Sequence, residues 1–363
     1  MASAMRAAVY RRFGGPVRVE TVPRPACPPD GVVLAVRACG VCRSDHHGYM
    51  GHDGDVVAHG LPFVPGHELS GVVEQVGEDV RRFRVGDAVA VPFILSCGGC
   101  DECFEGRATT CLHQEQPGFT QWGGFAQAVA IQRADRNLCP IPSGVGFAAA
   151  AAVGCRVTTA YRAVVEQSAP RRGATLAVFG AGGVGLSAVL VARAFVPDVT
   201  ICAIDASGAA LDVARELGVD VAVRMEPGGE PADAAAALDA ALGGAPVDIS
   251  IDAGGFADTA QAALLATRRG GTMCQVGLPL AHPIGFTGDQ LARIAGRELR
   301  VVGSHGADAS VFPSILAAVA DKRLPVDRLV RQELTLEQGA DLLTSMDAAA
   351  PPHPGVSVIT NFA

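Results

Sequence analysis

Ala174–Phe195, ATLAVFGAGGVGLSAVLVARAF, decides the fold of this 363-residue chain. An apolar β-type run (ATLAVF) meets Gly180, Gly182 and Gly185 in G-x-G-x-x-G spacing, with Gly183 between them, and then an apolar stretch of helical length. This predicts a strand, a tight turn and a helix. The first glycine permits the turn, the second lets backbone amides approach a pyrophosphate, and the third lets the helix pack on the strand. The helix N-terminus then favours the anion. Four glycines and Arg193 make the segment a poor bilayer span. Asp205 closes the next β-run, TICAID, and is suited to accept hydrogen bonds from a ribose diol. The same carboxylate would repel a 2′-phosphate, and ASGAAL after it brings no lysine or arginine, so the pattern takes NAD in preference to NADP.

Outward from this segment, β-runs alternate with Ala/Leu-rich helical stretches: VTICAID with GAALDVARELG, DISIDAG with TAQAALLATRR, then TMCQVG. Such alternation builds a doubly wound parallel sheet, expected over residues 158–298. Residues 1–157 instead show short β-runs punctuated by Gly and Pro, and read as all-β. From residue 299 to 363 irregular β-structure with one helix, ASVFPSILAAVADKR, returns to pack against the first half. The fold class is therefore α/β in two domains, for which 49% apolar residues supply two cores.

With 29 basic and 37 acidic residues, a net charge of −8 and no basic block, nucleic acid is excluded as a partner. MASAMRAAVYRRFGG lacks the apolar core of a signal peptide, and no stretch reads as a membrane span. A cytoplasmic location is expected, and an odd count of eleven cysteines suits reduced thiols and metal ligands.

Cys97, Cys100, Cys103 and Cys111, in CGGCDECFEGRATTC, have the spacing that wraps one tetrahedral Zn²⁺ in a closed structural lobe, 97–111. Buried or paired thiols are the plainer alternative. A second set is dispersed: Cys42 in ACGVCRSDHH, His67 in VPGHELSG and Cys155 in AAVGCRVTTAYRA. Each alone is as readily a small core residue. Together, two thiolates and an imidazole fill three corners of a tetrahedron and leave the fourth for substrate. Cys27, Cys39, Cys139, Cys202 and Cys274 lack partners at useful spacing and read as packing. Ser44, two residues beyond a candidate ligand, brings a hydroxyl near the metal, and a histidine such as His47 suits proton exit near neutrality, although an isolated histidine is ordinarily just solvated.

GVCRSDHH, GHE, the four-cysteine lobe, GCRVTTAYRA, GAGGVG and the strand ending at Asp205 occur in the order found in the zinc-dependent alcohol dehydrogenases of the medium-chain dehydrogenase/reductase superfamily, which the chain resembles over nearly its whole length. The resemblance implies a GroES-like β-barrel catalytic domain completed by the C-terminal segment, and a Rossmann NAD-binding domain. It implies two zinc ions per chain: a catalytic one held by Cys42, His67 and Cys155 with Glu68 close to it, and a structural one in the lobe. Asp45 would orient His67. Ser44 would hydrogen-bond the alcohol and pass its proton through the ribose hydroxyl to His47 at the surface. Arg43 would contact the pyrophosphate, Val184 would back the nicotinamide, and Thr159 and the Val276 backbone would position its ring. Hydride would pass between a primary, benzylic or secondary alcohol and NAD, giving an aldehyde or ketone. A homodimer or homotetramer is the implied assembly.

Two positions depart from the family. PPHPGVSVITNF lacks the arginine that many relatives place on the cofactor phosphate, and Ala210 stands where relatives often have lysine. Cys155 argues against a sorbitol-type enzyme, which usually carries a carboxylate there. Tyr49, Phe93 and Trp122 resemble pocket-lining aromatics, although core packing explains such residues equally well. Two other functions stay open: a zinc-containing reductase of C=C or C=N bonds, and a non-catalytic NAD-binding or redox-sensing protein. The Ser44/His47 pair favours C=O chemistry over the first, and an open metal corner weighs against the second.

Overall fold

The computed structural model describes residues 4–279, 285–347 and 354–363. The chain divides into two compact units: residues up to Thr158 joined by Gly306–Ala363, and Thr159–His305.

The second unit is built on six strands, in sheet order Val221–Arg224, Thr200–Asp205, Thr175–Phe179, Val247–Asp252, Thr267–Gln275 and Arg300–Gly303. Every neighbouring pair is parallel. Numbered along the chain the order is 3-2-1-4-5-6, the Rossmann arrangement. TICAID and VDISID are buried almost throughout, as parallel strands covered on both faces must be. Helices Gly183–Phe195, Gly208–Glu216, Pro231–Ala241 and Ala257–Ala266 make crossovers, and Ser207 caps the second by accepting from the Ala210 N–H at 3.3 Å. The sheet reverses direction of growth between Thr175–Phe179 and Val247–Asp252, and the Gly180 turn sits at that point. The expected return at residue 299 comes later, at Gly306, because Arg300–Gly303 pairs with Thr267–Gln275 as the sixth parallel strand.

The first unit carries a seven-stranded sheet and a separate hairpin of Ala4–Tyr10 with Val17–Pro23. Its centre is the antiparallel pair Val32–Val41 and Glu68–Val76, in which Gly40 lies opposite Glu68. Val356–Asn361 from the C-terminal return pairs antiparallel with Val32–Val41, so the segment after Gly306 belongs to this sheet. The expectation of an all-β first half needs correction. Helices Arg43–Tyr49 and Gly54–His59 follow the central strand, and the alanine run forms a buried helix, Phe147–Ala152, continuing into a π-helical turn, Val153–Val157. Alanine costs no side-chain entropy in a helix and fits where the sheet approaches closely.

Tyr10, Phe63, Phe125, Leu34 and Leu69 fill the core of this unit. Tyr49 belongs to the same core and not to a pocket wall: its ring meets Tyr10 edge-on at 5.6 Å, and its hydroxyl donates to the Gly15 carbonyl at 2.7 Å. Tyr49→Phe therefore removes one buried hydrogen bond. It should lower unfolding stability by about 1 kcal/mol, read by denaturant titration.

Candidate metal centre and dinucleotide site

Antiparallel register makes the first half of the metal centre. Val32–Val41 ends at the residue before Cys42, and Glu68–Val76 begins just after His67. With Gly40 opposite Glu68, residues 25 positions apart come together. Cys155 arrives from the π-helical turn Val153–Val157. One donor atom from each of Cys42, His67, Glu68 and Cys155 lies within 4.8 Å of all the others, and all four residues are buried.

Asp45 orients the imidazole. Its Oδ1 accepts from His67 Nδ1 at 2.8 Å and from the Gly66 N–H at 3.0 Å, and its Oδ2 accepts from the Cys42 N–H at 3.0 Å. His67 Nε2 is left as the free ring nitrogen, buried and without a hydrogen-bond partner among the described residues. Phe119 and Phe93 flank the ring at 4.9 and 5.6 Å. Phe93 thus stands at the site, whereas Trp122 lies elsewhere, donating to the Pro62 carbonyl and lining a cavity with Pro23 and Pro25.

The electrostatics show a donor set short of positive charge. Cys42 and Cys155 act on each other: hydrogen bonding from Cys155 holds the Cys42 thiol well below its usual value, and the same contact, with burial, holds Cys155 well above. Burial works against a charged His67, but Asp45 and the Cys42 thiolate outweigh it and raise its pKa. Burial pushes the Glu68 carboxyl up to about 7 against the pull of Arg156. A divalent cation among these atoms would relieve every one of these strains, favouring both thiolates and using the orphaned nitrogen. The residues fit a zinc ion.

In the lobe, Cys100 Sγ lies 3.6 Å from Cys103 Sγ and 3.7 Å from Cys111 Sγ, and Cys97 Sγ lies 4.0 Å from Cys103 Sγ. A tetrahedral zinc with bonds of about 2.3 Å sets its sulfurs about 3.8 Å apart, whereas a disulfide needs about 2.05 Å. All eleven cysteines of the chain are free of disulfides. N–H groups of Gly99 and His113 donate to Cys97 and Cys111, and backbone bonds from Cys103 and Leu112 bring the Cys100 thiol down to about 6. These sulfurs too fit zinc, with no corner left over.

Around the metal centre, Ser44 Oγ lies 3.9 Å from Cys42 Sγ on the helix Arg43–Tyr49. His47, expected at the surface, is half-buried beside His46 and His52, and its Nδ1 has no partner among the described residues. Burial, with Arg43, His46 and His52 nearby, lowers its pKa. The Arg43 guanidinium is paired with Asp347 at 2.7 Å, and His46 shares that carboxylate at 3.5 Å. Sequence reasoning gave no role to Arg156, a buried arginine paired with Glu68 at 3.1 Å; its position next to a candidate ligand in GCRV was the available signal.

The dinucleotide residues lie in the second unit, and each glycine of the turn has its own structural reason. Gly180 has φ +94°, and a Cβ there would stand 2.7 Å from the Gly254 nitrogen; one at Gly185 would stand 1.9 Å from the Gly180 carbonyl oxygen. Above Gly182 there is open space, the cradle that a phosphate needs. Asp205 accepts from the N–H groups of Ala181 at 2.6 Å and Ser207 at 2.7 Å, which fixes its carboxylate at the mouth of the turn. Gly183 and Val184 open the helix, half-buried, and Thr159 is buried. The Val276 N–H is used by the Asp252 carbonyl, leaving its own carbonyl as the group it can offer. No helix among the described residues is long and apolar enough to cross a membrane.

Comparison with known proteins agrees with this pairing of a sulfur-rich β-unit and a Rossmann unit. Residues 28–143 match the alcohol dehydrogenase GroES-like domain and residues 183–321 the zinc-binding dehydrogenase family. An alcohol dehydrogenase of Geobacillus stearothermophilus is 34% identical over 278 residues, 76% of this chain and 78% of that one. A geraniol dehydrogenase of Castellaniella defragrans is 34% identical over 351 residues, covering 90% of each chain. The structure of the alcohol dehydrogenase from Thermus sp. ATN1 superposes with a TM-score of 0.86 at 28% identity, over 98% of this chain and 100% of that one. A GroES-like unit, a doubly wound nucleotide unit and whole-chain kinship of this degree make the chain a member of the zinc-type alcohol dehydrogenases of the medium-chain dehydrogenase/reductase superfamily, enzymes that interconvert alcohols with aldehydes or ketones.

Proposed function

We propose that the chain is a zinc-dependent, NAD-using alcohol dehydrogenase acting on primary, benzylic or secondary alcohols, with Cys42, His67 and Cys155 as ligands of the catalytic metal and Glu68 beside it. The observation that carries this reading is the buried His67 Nε2, without a hydrogen-bond partner among the described residues, in one cluster with two buried thiols. Zinc held there supplies a Lewis acid that acidifies an alcohol and polarises a carbonyl, and NAD supplies the hydride acceptor. Asp45 locks the tautomer that points Nε2 at the metal. Ser44 is the hydroxyl that takes the substrate proton, and His47, three residues on along the same helix, takes it onward. A His47 with a lowered pKa is neutral near pH 7 and ready to accept. Arg43, released from Asp347, meets the pyrophosphate. Gly180, Gly182, Gly183 and Gly185 cradle it, Asp205 takes the ribose diol, and Thr159, Val184 and Val276 set the nicotinamide. The Cys97–Cys111 lobe holds a second, structural zinc. Free thiols throughout suit a cytoplasmic enzyme, and a homodimer or homotetramer is part of the same reading.

NADH formation from a panel of primary, benzylic and secondary alcohols with NAD⁺ tests the reaction, and elemental analysis tests the metals. The wild-type protein should carry two zinc ions per chain and turn over at least one alcohol class. Cys42→Ala should keep one zinc and lose at least 99% of kcat/KM, whereas Cys103→Ala should lower Tm by several degrees through loss of the lobe metal. Silence across the panel with cofactor still bound would overturn the reading in favour of a non-catalytic protein.

Asp205 carries the cofactor choice. Arg224 is registered opposite it on the neighbouring strand, so removing the carboxylate leaves a cation near the ribose. Asp205→Gly should reduce kcat/KM for NAD⁺ at least tenfold and raise it for NADP⁺, read from initial rates with each cofactor. A wild-type enzyme that prefers NADP⁺ tenfold would contradict the assignment.

A further inference from the structure

Arg156 has no part in the chemistry above, yet it touches every segment that delivers a donor atom. It follows Cys155 on the π-helical turn and is 4% exposed. Its backbone N–H reaches Glu68 Oε1 at 3.3 Å and its Nε lies 3.1 Å from the same oxygen. Its Nη2 donates to the carbonyl of Val41, the residue before Cys42. Every bond it makes to Glu68 therefore falls on Oε1. Oε2 stays buried and without a hydrogen-bond partner among the described residues, pressed toward Gly40, where a Cβ would stand only 2.0 Å away.

Charge shows what this arrangement does. Two thiolates and one carboxylate carry three negative charges, and a divalent cation cancels two. A carboxylate is itself a zinc ligand, so a Glu68 within donor-atom range and free to turn would close the fourth corner. Resting on the metal-site reading above, we propose that Arg156 is a positioning residue that restrains Glu68: it cancels the third negative charge and grips Oε1, so that the carboxylate stays off the metal and the open corner remains for substrate. Gly40 is the other half of the device, since any side chain there would drive Glu68 out of its berth.

Cobalt(II) substituted for zinc in the full-length protein reports coordination directly through its d–d bands, and the lobe contributes the same background to every variant. Glu68→Gln should leave the bands of the catalytic site as in wild type, because the restrained carboxylate is not a ligand. Arg156→Met should shift their position as Glu68 takes the fourth corner, and should slow zinc loss to a chromogenic chelator at least fivefold. The double variant R156M/E68Q should return both readouts to wild-type values. The proposal is overturned if E68Q alone alters the bands, if R156M leaves them unchanged, or if the change in R156M persists in the double variant. Should R156M fail to fold, E68Q decides: unaltered bands support the restraint, altered bands end it. A thiolate-to-cobalt charge-transfer band that weakens in Cys42→Ala, leaving the lobe's contribution, shows that the metal reading stands independently; an identical band in that variant would sink the metal reading instead.

Discussion

One buried carboxylate holds the candidate metal centre of the first unit together. Asp45 is 1% exposed and accepts three hydrogen bonds, from the Cys42 N–H, the Gly66 N–H and His67 Nδ1. Burying a charge without partners costs several kcal/mol, and three donors converging on two oxygens remove that penalty while fixing where each donor must stand. Gly66 sits at φ +109°, with Phe125 so close that a Cβ would lie 2.5 Å from its ring. The constraint runs from that crowded backbone through Asp45 to the direction of a single nitrogen lone pair.

The two sulfur-rich sites solve different problems with the same element. The lobe gathers four thiols from a 15-residue stretch, so its geometry is local and backbone N–H groups bond the sulfurs directly. The other set takes its donors from a strand end, a strand start and a π-helical turn, and depends on the whole first unit being folded. It is also the more frustrated of the two. Two buried thiols held at opposite extremes, an orphaned imidazole nitrogen and a carboxylate pushed up to about 7 are unfavourable separately, and a cation would reconcile them. Sites built for chemistry carry perturbed groups of this kind, while the closed lobe lacks a free corner.

In the second unit the same logic is steric. Gly180 and Gly185 are forced by neighbours that a methyl group would strike, while Gly182 faces open space. Two of the three glycines are required by their neighbours, and the third leaves room for a ligand. The Asp205 carboxylate, held by two backbone N–H groups, links the turn to the next strand end.

The sequence by itself determined whatever rests on local spacing: the strand–turn–helix at Ala174–Phe195, the four thiols of the lobe, the alternation that makes a parallel sheet and the acid that ends its second strand. Those patterns lie within a few turns or strands, where chain geometry leaves little choice. Tertiary structure decided what depends on register and burial. It put Arg300–Gly303 into the parallel sheet, moving the return to Gly306, and it placed Tyr49 in the core. It also half-buried His47 and buried Arg156 against Glu68. Nothing local in GCRV states that its arginine meets a carboxylate 88 residues earlier. That encounter exists because antiparallel pairing sets Gly40 against Glu68 and a buried alanine helix delivers the Cys155 turn beside them, and such contacts are fixed only when the sheet closes.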